Sequence, residues 1–268
     1  SGIYRNRQYN KASSITLQTT YEEISILWDQ EVKYRPNFSI NNSVVNIPVI
    51  FSKVSGIKEG DISKYWSSVK SLITDDTFVI RDAPFINSSE ANPIKAFAVE
   101  FFKNGRLRKD KIKAHRCYQY DFLREDIQNH ILDKLQSLIE RKNIKGTFEN
   151  GTEYTIIATV LNIKKDIVRK IQNFDFTRKN PKIIYINTTE NIISLEDSIL
   201  IAFLNLVGFD IVFFVPTGYM CVEKYFNKQI IEEHQIGEYA YDLRIPNLST
   251  VSSSLRHSWR DIIFKRGG

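Results

Sequence analysis

The chain has 268 residues, of which 42% are hydrophobic and 25% are charged, and its formal net charge is +6. This is the composition of a globular protein that can bury a full core, and it excludes a disordered, collagen-like or disulfide-stapled chain. The mildly basic balance permits an anionic partner but does not require one. The two cysteines form no CxxC pair, which favours a reducing compartment, and no apolar run reaches the about 20 residues needed to cross a bilayer.

The first part of the chain predicts alternating strands and helices. Apolar runs at residues 24–28 and 44–51 predict strands, and the second run is rich in β-branched residues. Residues 61–73 repeat apolar side chains at helical spacing, with Asp61 placed to cap the first free amides, and residues 77–80 predict a further strand. Strand, helix and strand in this order indicate a first parallel unit.

The rest of the chain predicts a helical segment and then a second parallel unit. Residues 121–143 and 153–174 each carry one apolar stripe and predict two helices. Residues 182–186 and 210–215 predict buried strands, and an apolar helix over residues 195–207 joins them. The crossover between these parallel strands should be right-handed.

These elements predict an α/β fold of two Rossmann-like parallel α/β parts with an intervening helical segment. The predicted divisions are a polar lead-in over residues 1–20, an N-terminal α/β part over 21–118, the helical segment over 119–178 and a C-terminal α/β part over 179–268. The chain opens on Ser-Gly without a methionine, which we interpret as the mark of a trimmed chain or of a fragment of a longer protein.

The carboxyl ends of the two C-terminal strands form the first candidate ligand site. Ligands of open parallel sheets bind beyond these ends, and sequential parallel strands are usually neighbours. The residues there are Asn187, Thr188, Thr189 and Glu190 after the first strand, and Thr217, Gly218 and Tyr219 after the second. Their hydroxyls, amide and flexible glycine predict a pocket for an anionic or polar ligand; alternatively, they only cap helices and turn the chain. The sequence contains neither GxGxxG nor a P-loop at this place.

Residues 232–239 gather groups suited to proton transfer. A histidine beside carboxylates can work near neutral pH, which makes Glu233 and His234, together with Glu190, catalytic candidates. The alternative interpretation is a polar helix end with a solvated face, and a further helix is predicted to start near Val222.

Charged residues elsewhere supply two further sets of candidates. Asp29 and Lys53 come at the predicted ends of N-terminal strands, where each either contacts a ligand between the two α/β parts or is a surface charge. A later basic run either contacts a polyanion or is a solvated hairpin, and its candidates are Arg106, Arg108, Lys109 and Lys111. No named nucleic-acid motif supports nucleic acid as the partner.

The sequence indicates no metal site and no particular cofactor. The four histidines are scattered, and the residues around His234 do not have HExxH spacing. Cys221 lies near His234 in the sequence, but no signature supports a Cys–His pair there.

Four stretches of the chain resemble the YceG-like family of bacterial proteins. They are YRPNF at residues 34–38, IPVIFSKVSG at 47–56, FLNLVGFDIVFFVPTGY at 203–219 and EEHQIGEY at 232–239. The resemblance covers most of the chain from Leu27 onward. It transfers no catalytic residue, because the family has no defined catalytic motif.

The resemblance implies a bacterial cytoplasmic protein, at most peripheral at the inner membrane, encoded beside tellurium-resistance and toxic-anion-resistance genes. It also implies a place in the biosynthetic module of that stress response. Two functions are then open. In the first, the chain is a group-transfer enzyme that binds a phosphorylated or nucleotide-linked small molecule in a cleft between its two parts. In the second, it is a non-catalytic binding protein that assembles with other resistance-operon proteins at the inner membrane face through its basic run.

Overall fold

A computed structural model describes residues 10–81, 86, 89–175 and 177–248. In chain order its strands and helices are β1 (Lys11–Thr16), α1 (Tyr21–Asp29), β2 (Ser39–Asn41), β3 (Val44–Val49), β4 (Phe51–Ser55), α2 (Ile62–Ser71), β5 (Thr77–Arg81), β6 (Phe102–Lys103), β7 (Arg106–Leu107), α3 (Lys109–Ala114), α4 (Glu125–Glu140), α5 (Thr152–Val160), α6 (Lys165–Asn173), β8 (Lys182–Ile186), α7 (Leu195–Val207), β9 (Asp210–Val215) and β10 (Glu232–Gln235).

The centre of the molecule is a parallel sheet of five strands. Its strand order is β10-β4-β9-β8-β5, and every neighbouring pair is parallel. The predicted α/β class is therefore confirmed. The two predicted Rossmann-like parts do not have separate sheets, however, because strands from residues 21–118 and from residues 179–268 lie side by side in this one. Helix α2 carries the chain from β4 to the far edge of the sheet, and β8 and β9 then fill the space between.

Two smaller sheets accompany the core sheet. β3 pairs with β1 in parallel and with β2 in antiparallel orientation, and β6 and β7 form a two-stranded hairpin. β3 leads into β4 at Ile50, whose N–H donates to the Oδ1 of Asp210 over 2.9 Å. This side-chain acceptor interrupts the ladder, so the single strand predicted over residues 44–51 is two strands in two sheets.

Alternate side chains of the core sheet build two hydrophobic clusters, one on each face. On β4, Phe51 belongs to the first cluster and Val54 to the second. The buried sides of α4, α5 and α7 complete the first cluster, and those of α1 and α2 complete the second. The chain crosses the sheet in one direction through α2 and returns through α7. Right-handed crossovers in opposite directions must lie on opposite faces, which explains where these helices pack.

Helix α1 corrects the strand predicted over residues 24–28. Thr20 caps this helix, because its hydroxyl accepts from the N–H of Glu23 and the Glu23 carboxylate accepts from the N–H of Thr20. Its buried side chains are Ile24, Leu27 and Trp28. Ile26, between them in the sequence, is exposed. The capping box and the helical spacing of the buried residues favour the helix over a strand.

Most other predicted elements are confirmed. The structure contains helices at the predicted positions of α2, α4 and α7 and strands at those of β5, β8 and β9. Asp61 caps α2 as expected, since its Oδ1 accepts from the N–H of Lys64 over 2.9 Å. Ser194 caps α7 in the same way, accepting from the N–H of Asp197 over 3.1 Å.

Two predicted helices differ from those observed. The helix expected over residues 153–174 is split into α5 and α6, because the N–H of Ile163 donates to the Tyr120 hydroxyl over 2.8 Å and leaves the helical ladder. The helix expected near Val222 is replaced by turns that lead into β10. There the Glu223 carboxylate accepts from the N–H of Val222 and also binds Lys53, which fixes a turn instead of a helix.

Candidate functional site

The carboxyl edge of the core sheet, where its parallel strands end, contains a point at which neighbouring strands diverge. β4 and β9 are neighbours. The chain leaves β4 towards α2 on the second face, whereas the segment after β9 packs Cys221, Val222 and Phe226 into the first cluster. Ligands of open α/β sheets bind in the crevice that such a divergence creates. The topology therefore makes this edge the candidate ligand site.

The loops after β8 and β9 are held together at this edge. The N–H of Asn187 donates to the carbonyl of Phe214 over 3.0 Å, and the N–H of Ile193 donates to the carbonyl of Cys221 over 2.9 Å. The Asn187 side chain orders its own loop by donating to the carbonyl of Asn191 over 2.8 Å and accepting from the N–H of Thr189 over 2.9 Å. The structure thus brings the two predicted polar loops side by side.

The polar residues of the two loops differ in exposure. Asn187, Thr188 and Thr217 are buried. Glu190 and Tyr219 are exposed. The Thr217 hydroxyl accepts from the N–H of Tyr219 over 3.2 Å, which tightens the turn after β9. The edge therefore carries both solvent-exposed and buried polar groups.

Lys53 is fully buried beneath the same edge and is not a surface charge. Its Nζ donates to the Tyr219 carbonyl over 2.7 Å and to the Glu223 carboxylate over 2.6 Å. The Lys53 side chain has no exposed area, whereas that of Glu223 is 24% exposed. The lysine therefore anchors the loop after β9 and leaves the partner carboxylate facing solvent.

Cys221 lies in the same buried group. Burial raises the pKa of its thiol to about 11, although the nearby charge of Lys53 opposes the shift. The thiol is consequently protonated and weakly nucleophilic at neutral pH. Cys221 packs in the first cluster, while His234 stands next to Glu232 at the outer strand β10. The structure therefore offers no support for a nucleophilic pair of these two residues.

The segment after β10 crosses over the ends of β4 and β9. The N–H of Ile57 donates to the Glu238 carbonyl over 2.9 Å, and the N–H of Ala240 donates to the Pro216 carbonyl over 3.0 Å. Gly218 has a φ of +67°, and a Cβ placed there would lie 2.2 Å from the ring of Tyr239. The segment thus packs over the ends of these two strands, with the Tyr239 ring against Gly218.

The predicted catalytic residues do not converge. Glu233 and His234 are consecutive in β10, so their side chains point to opposite faces of the sheet. Glu233 accepts from the Ser55 hydroxyl over 2.9 Å, and His234 Nε2 lies 3.3 Å from Glu232 Oε1. Glu190 follows β8, three strand positions from β10 and so about 14 Å away in the sheet.

Asp29 lies away from the carboxyl edge. It is the last residue of helix α1, not the end of a strand, and it is exposed. The nearby Leu27 carbonyl accepts from Arg35, which binds Asp210 at the start of β9. Asp29 is therefore near the amino edge, where the strands begin, and it does not belong to the candidate site at the carboxyl edge.

The basic run forms the β6–β7 hairpin and helix α3, and acidic side chains lie beside its cations. Arg106 pairs with Glu140 over 3.3 Å, Lys111 pairs with Glu100 over 3.8 Å, and Lys109 pairs with Asp133. The Arg108 guanidinium donates to the carbonyl of Glu100 over 3.5 Å. These neighbours reduce the free positive charge that a polyanion would meet.

Sequence reasoning missed Glu223 and Ser55. Both contact predicted residues, Lys53 and Glu233 respectively, across more than 160 positions. The pairing of β4 with β10 brings Ser55 to Glu233, and the pairing of β4 with β9 brings Lys53 to the segment that carries Glu223. Within the described ranges, no group of three or more His, Cys, Asp or Glu side chains could hold a metal ion. No helix in the same ranges is long and apolar enough to cross a membrane.

Comparison with known proteins identifies a family that spans this edge and most of the fold. The YceG domain model matches residues 18–253. The uncharacterized protein YceG of Bacillus subtilis (strain 168) is 24% identical over 257 residues, which are 92% of this chain and 48% of that protein. The chain thus spans about half the length of this curated relative. No solved structure matches the chain. The chain belongs to the YceG domain family.

Proposed function

We propose that this chain binds a phosphorylated or nucleotide-linked small molecule at the carboxyl edge of its core sheet. The observation that carries the proposal is the divergence of β4 and β9, beside which the polar loops after β8 and β9 are tied together. Parallel sheets bind their ligands at such a point. The site is a crevice at the edge of one sheet, in place of the cleft between two parts that the sequence suggested.

The residues at this edge favour an anionic group held by neutral donors. Thr188 and Thr217 offer hydroxyls, and both residues are buried beneath this edge. Helix α7 follows the loop after β8, but Glu196 and Asp197 occupy its first turn and disfavour an anion directly at the helix end. The hydroxyls of Thr188 and Thr217 are therefore the proposed phosphate contacts.

Group transfer is the chemistry that we assign to this site. Glu190 is exposed on the loop after β8, at the mouth of the crevice, where a carboxylate can exchange protons with a bound substrate. Glu233 and His234 lie on the edge strand β10, and β4 separates this strand from the loops of the proposed site. Glu190 is thus the first acid–base candidate of the three.

The resemblance to the YceG-like family supports the biological setting of this proposal. In that setting the chain acts in the bacterial cytoplasm, within a biosynthetic module of the tellurite and envelope-stress response. The alternative is a purely scaffolding role at the inner membrane face, with other proteins of the operon as partners. That role needs the basic run as its contact surface. Because Arg106, Lys109 and Lys111 each have an acidic neighbour, we rank ligand binding above scaffolding.

A thermal-shift screen tests the proposal. The chain is heated with nucleotides, nucleotide sugars and sugar phosphates, each with and without magnesium. A ligand present at 100 times its Kd stabilises the folded state by about 2.7 kcal/mol, which raises Tm by several degrees. We expect a shift that is lost in Thr217→Val. The matched control is Thr177→Val near the opposite edge, which should keep it. The proposal fails if none of these ligands shifts Tm.

A further inference from the structure

Two exposed tyrosines stand at the mouth of the proposed site. Tyr219 is 40% exposed and Tyr239 is 43% exposed, and they lie on the loop after β9 and on the segment that crosses the end of this strand. Neither tyrosine belongs to the two hydrophobic clusters of the core, so the core does not need their rings. Large aromatic side chains left open beside a polar ligand site are suited to contacting the ligand itself.

Backbone contacts fix the position of both tyrosines. The Tyr239 ring lies against Gly218, and the next residue, Ala240, donates its N–H to the Pro216 carbonyl over 3.0 Å. Tyr219 follows Gly218 directly, and Lys53 holds its carbonyl over 2.7 Å. Tyr219 on the loop after β9 and Tyr239 on the segment after β10 are therefore both held beside Gly218, which cannot accept a Cβ without displacing the Tyr239 ring.

We infer that Tyr219 and Tyr239 form a stacking platform for the base of a nucleotide ligand. The inference rests on the proposed function and narrows its substrate class from phosphorylated molecules in general to nucleotides. Bases stack on aromatic side chains through the π-face that every base has, and each such contact strengthens binding about tenfold or more. The phosphates would then lie over Thr217 and Thr188, deeper in the crevice. Tyrosine hydroxyls can also bond the edge of the base.

Calorimetric titration of the full chain tests the platform. The probes are the ribonucleoside monophosphates of adenine, guanine, cytosine and uracil, with ribose 5-phosphate as the probe that carries the same single phosphate and lacks a base. The variants are Tyr219→Ala, Tyr239→Ala and the corresponding phenylalanine changes, which keep the ring. Tyr34→Ala is the matched control, because Tyr34 is an exposed tyrosine near the opposite edge of the sheet. A melting curve for each variant shows that it is folded.

We expect at least one nucleotide to bind about tenfold or more tightly than ribose 5-phosphate. Each alanine variant should remove most of that advantage, while the phenylalanine variants and Tyr34→Ala should keep it. Equal affinity for nucleotide and ribose 5-phosphate, unchanged in the alanine variants, would overturn the platform and leave the phosphate site of the proposed function standing. Absence of binding by all of these probes would overturn both.

Discussion

At the scale of single residues, the two edges of the core sheet are built differently. At the amino edge, Asp210 accepts from the Arg35 guanidinium over 2.8 and 2.6 Å and from Lys182 over 2.8 Å. Both side chains of the Arg35–Asp210 pair are completely buried. At the carboxyl edge, the buried Lys53 instead faces a carboxylate that remains partly exposed. The amino edge is a closed structural network, and the open polar groups are those at the proposed site.

The sequence could not reveal this amino-edge network. Arg35 and Asp210 are 175 positions apart, and nothing local distinguishes either of them from a surface charge. The same is true of Lys53 and Glu223. Residues such as Asn187 and Thr217 could be identified in advance, because their place after a predicted strand is a local property.

Replacing Asp210 with asparagine should destabilise the fold by about 3–5 kcal/mol, because it leaves two buried cations without their carboxylate. Burial alone would raise the pKa of Asp210, but the charges of Arg35 and Lys182 lower it well below its usual value. The stabilisation is therefore complete above the ordinary aspartate pKa of about 4 and is lost as the pH falls towards the lower folded-state pKa.

Urea unfolding of the wild type and of Asp210→Asn, repeated between neutral and acid pH, measures this effect. The difference in unfolding free energy should be largest near neutral pH and should shrink as the solution becomes acidic. A matched change of the exposed Asp29 to asparagine should have little effect at either pH. A difference between wild type and Asp210→Asn that does not depend on pH would contradict the assignment.

At the scale of elements, helices and strands could be predicted from the sequence where the hydrophobic periodicity and the capping residues agree. The β8–α7–β9 unit was predicted correctly because apolar strands, an N-cap at Ser194 and a glycine at the end of the helix all agree. Helix α1 was mistaken for a strand because residues 24–28 are almost continuously apolar. A short apolar run does not distinguish the two structures, and here the capping residue Thr20 decided between them.

The element that no local pattern predicted is the crossing segment after β10. It meets β4 through a very close backbone approach, since a Cβ at Gly56 would lie 2.2 Å from the Gly237 carbonyl oxygen. A Cβ at Gly237 would lie 1.9 Å from the Ile57 carbonyl oxygen. Both atoms belong to backbone, so neither substitution can be relieved by a side-chain rotation. The two glycines thus allow this segment to pack over the end of β4.

Gly56→Ala should therefore lower the free energy of unfolding by more than the strain of a left-handed alanine alone would. Gly60 is the matched control, because its φ of +67° is close to the +75° of Gly56 but a Cβ there meets open space. Gly60→Ala should lower the free energy of unfolding by about 1 kcal/mol, because alanine is strained in the left-handed backbone conformation. Gly56→Ala should lower it by about 1–3 kcal/mol more, because its Cβ also overlaps the Gly237 carbonyl oxygen. Chemical denaturation of both variants measures the difference, and equal costs would show that the crossing segment moves aside freely.

At the scale of the whole molecule, the strand order joins distant parts of the chain. β4 pairs with β9 and β10, and β5 pairs with β8, so each N-terminal strand of the sheet depends on C-terminal neighbours. Hydrophobic patterns predicted these strands but contain no information about which of them are neighbours. The proposed site exists only because β4, from the N-terminal part, pairs with β9, from the C-terminal part. This pairing cannot be read from the hydrophobic pattern, so the sequence predicted two separate parts with a cleft between them.

A single sheet with a cluster on each face should unfold as one cooperative unit. Trp28 and Trp66 report the second cluster by fluorescence once Trp259, outside the described residues, is replaced by phenylalanine. Far-UV circular dichroism reports mainly the helices α4–α7, most of whose buried side chains belong to the first cluster. The urea midpoints of the two signals should coincide.

Leu135→Ala sharpens this test, because Leu135 is fully buried in the first cluster, on the face of the sheet opposite both tryptophans. The cavity should cost about 2–5 kcal/mol and should lower both midpoints by the same amount. Ile26→Ala, at an exposed position of α1, should move neither. If Leu135→Ala lowered the dichroism midpoint and left the tryptophan midpoint in place, the two faces would unfold separately. The shared sheet would then not couple the two ends of the chain.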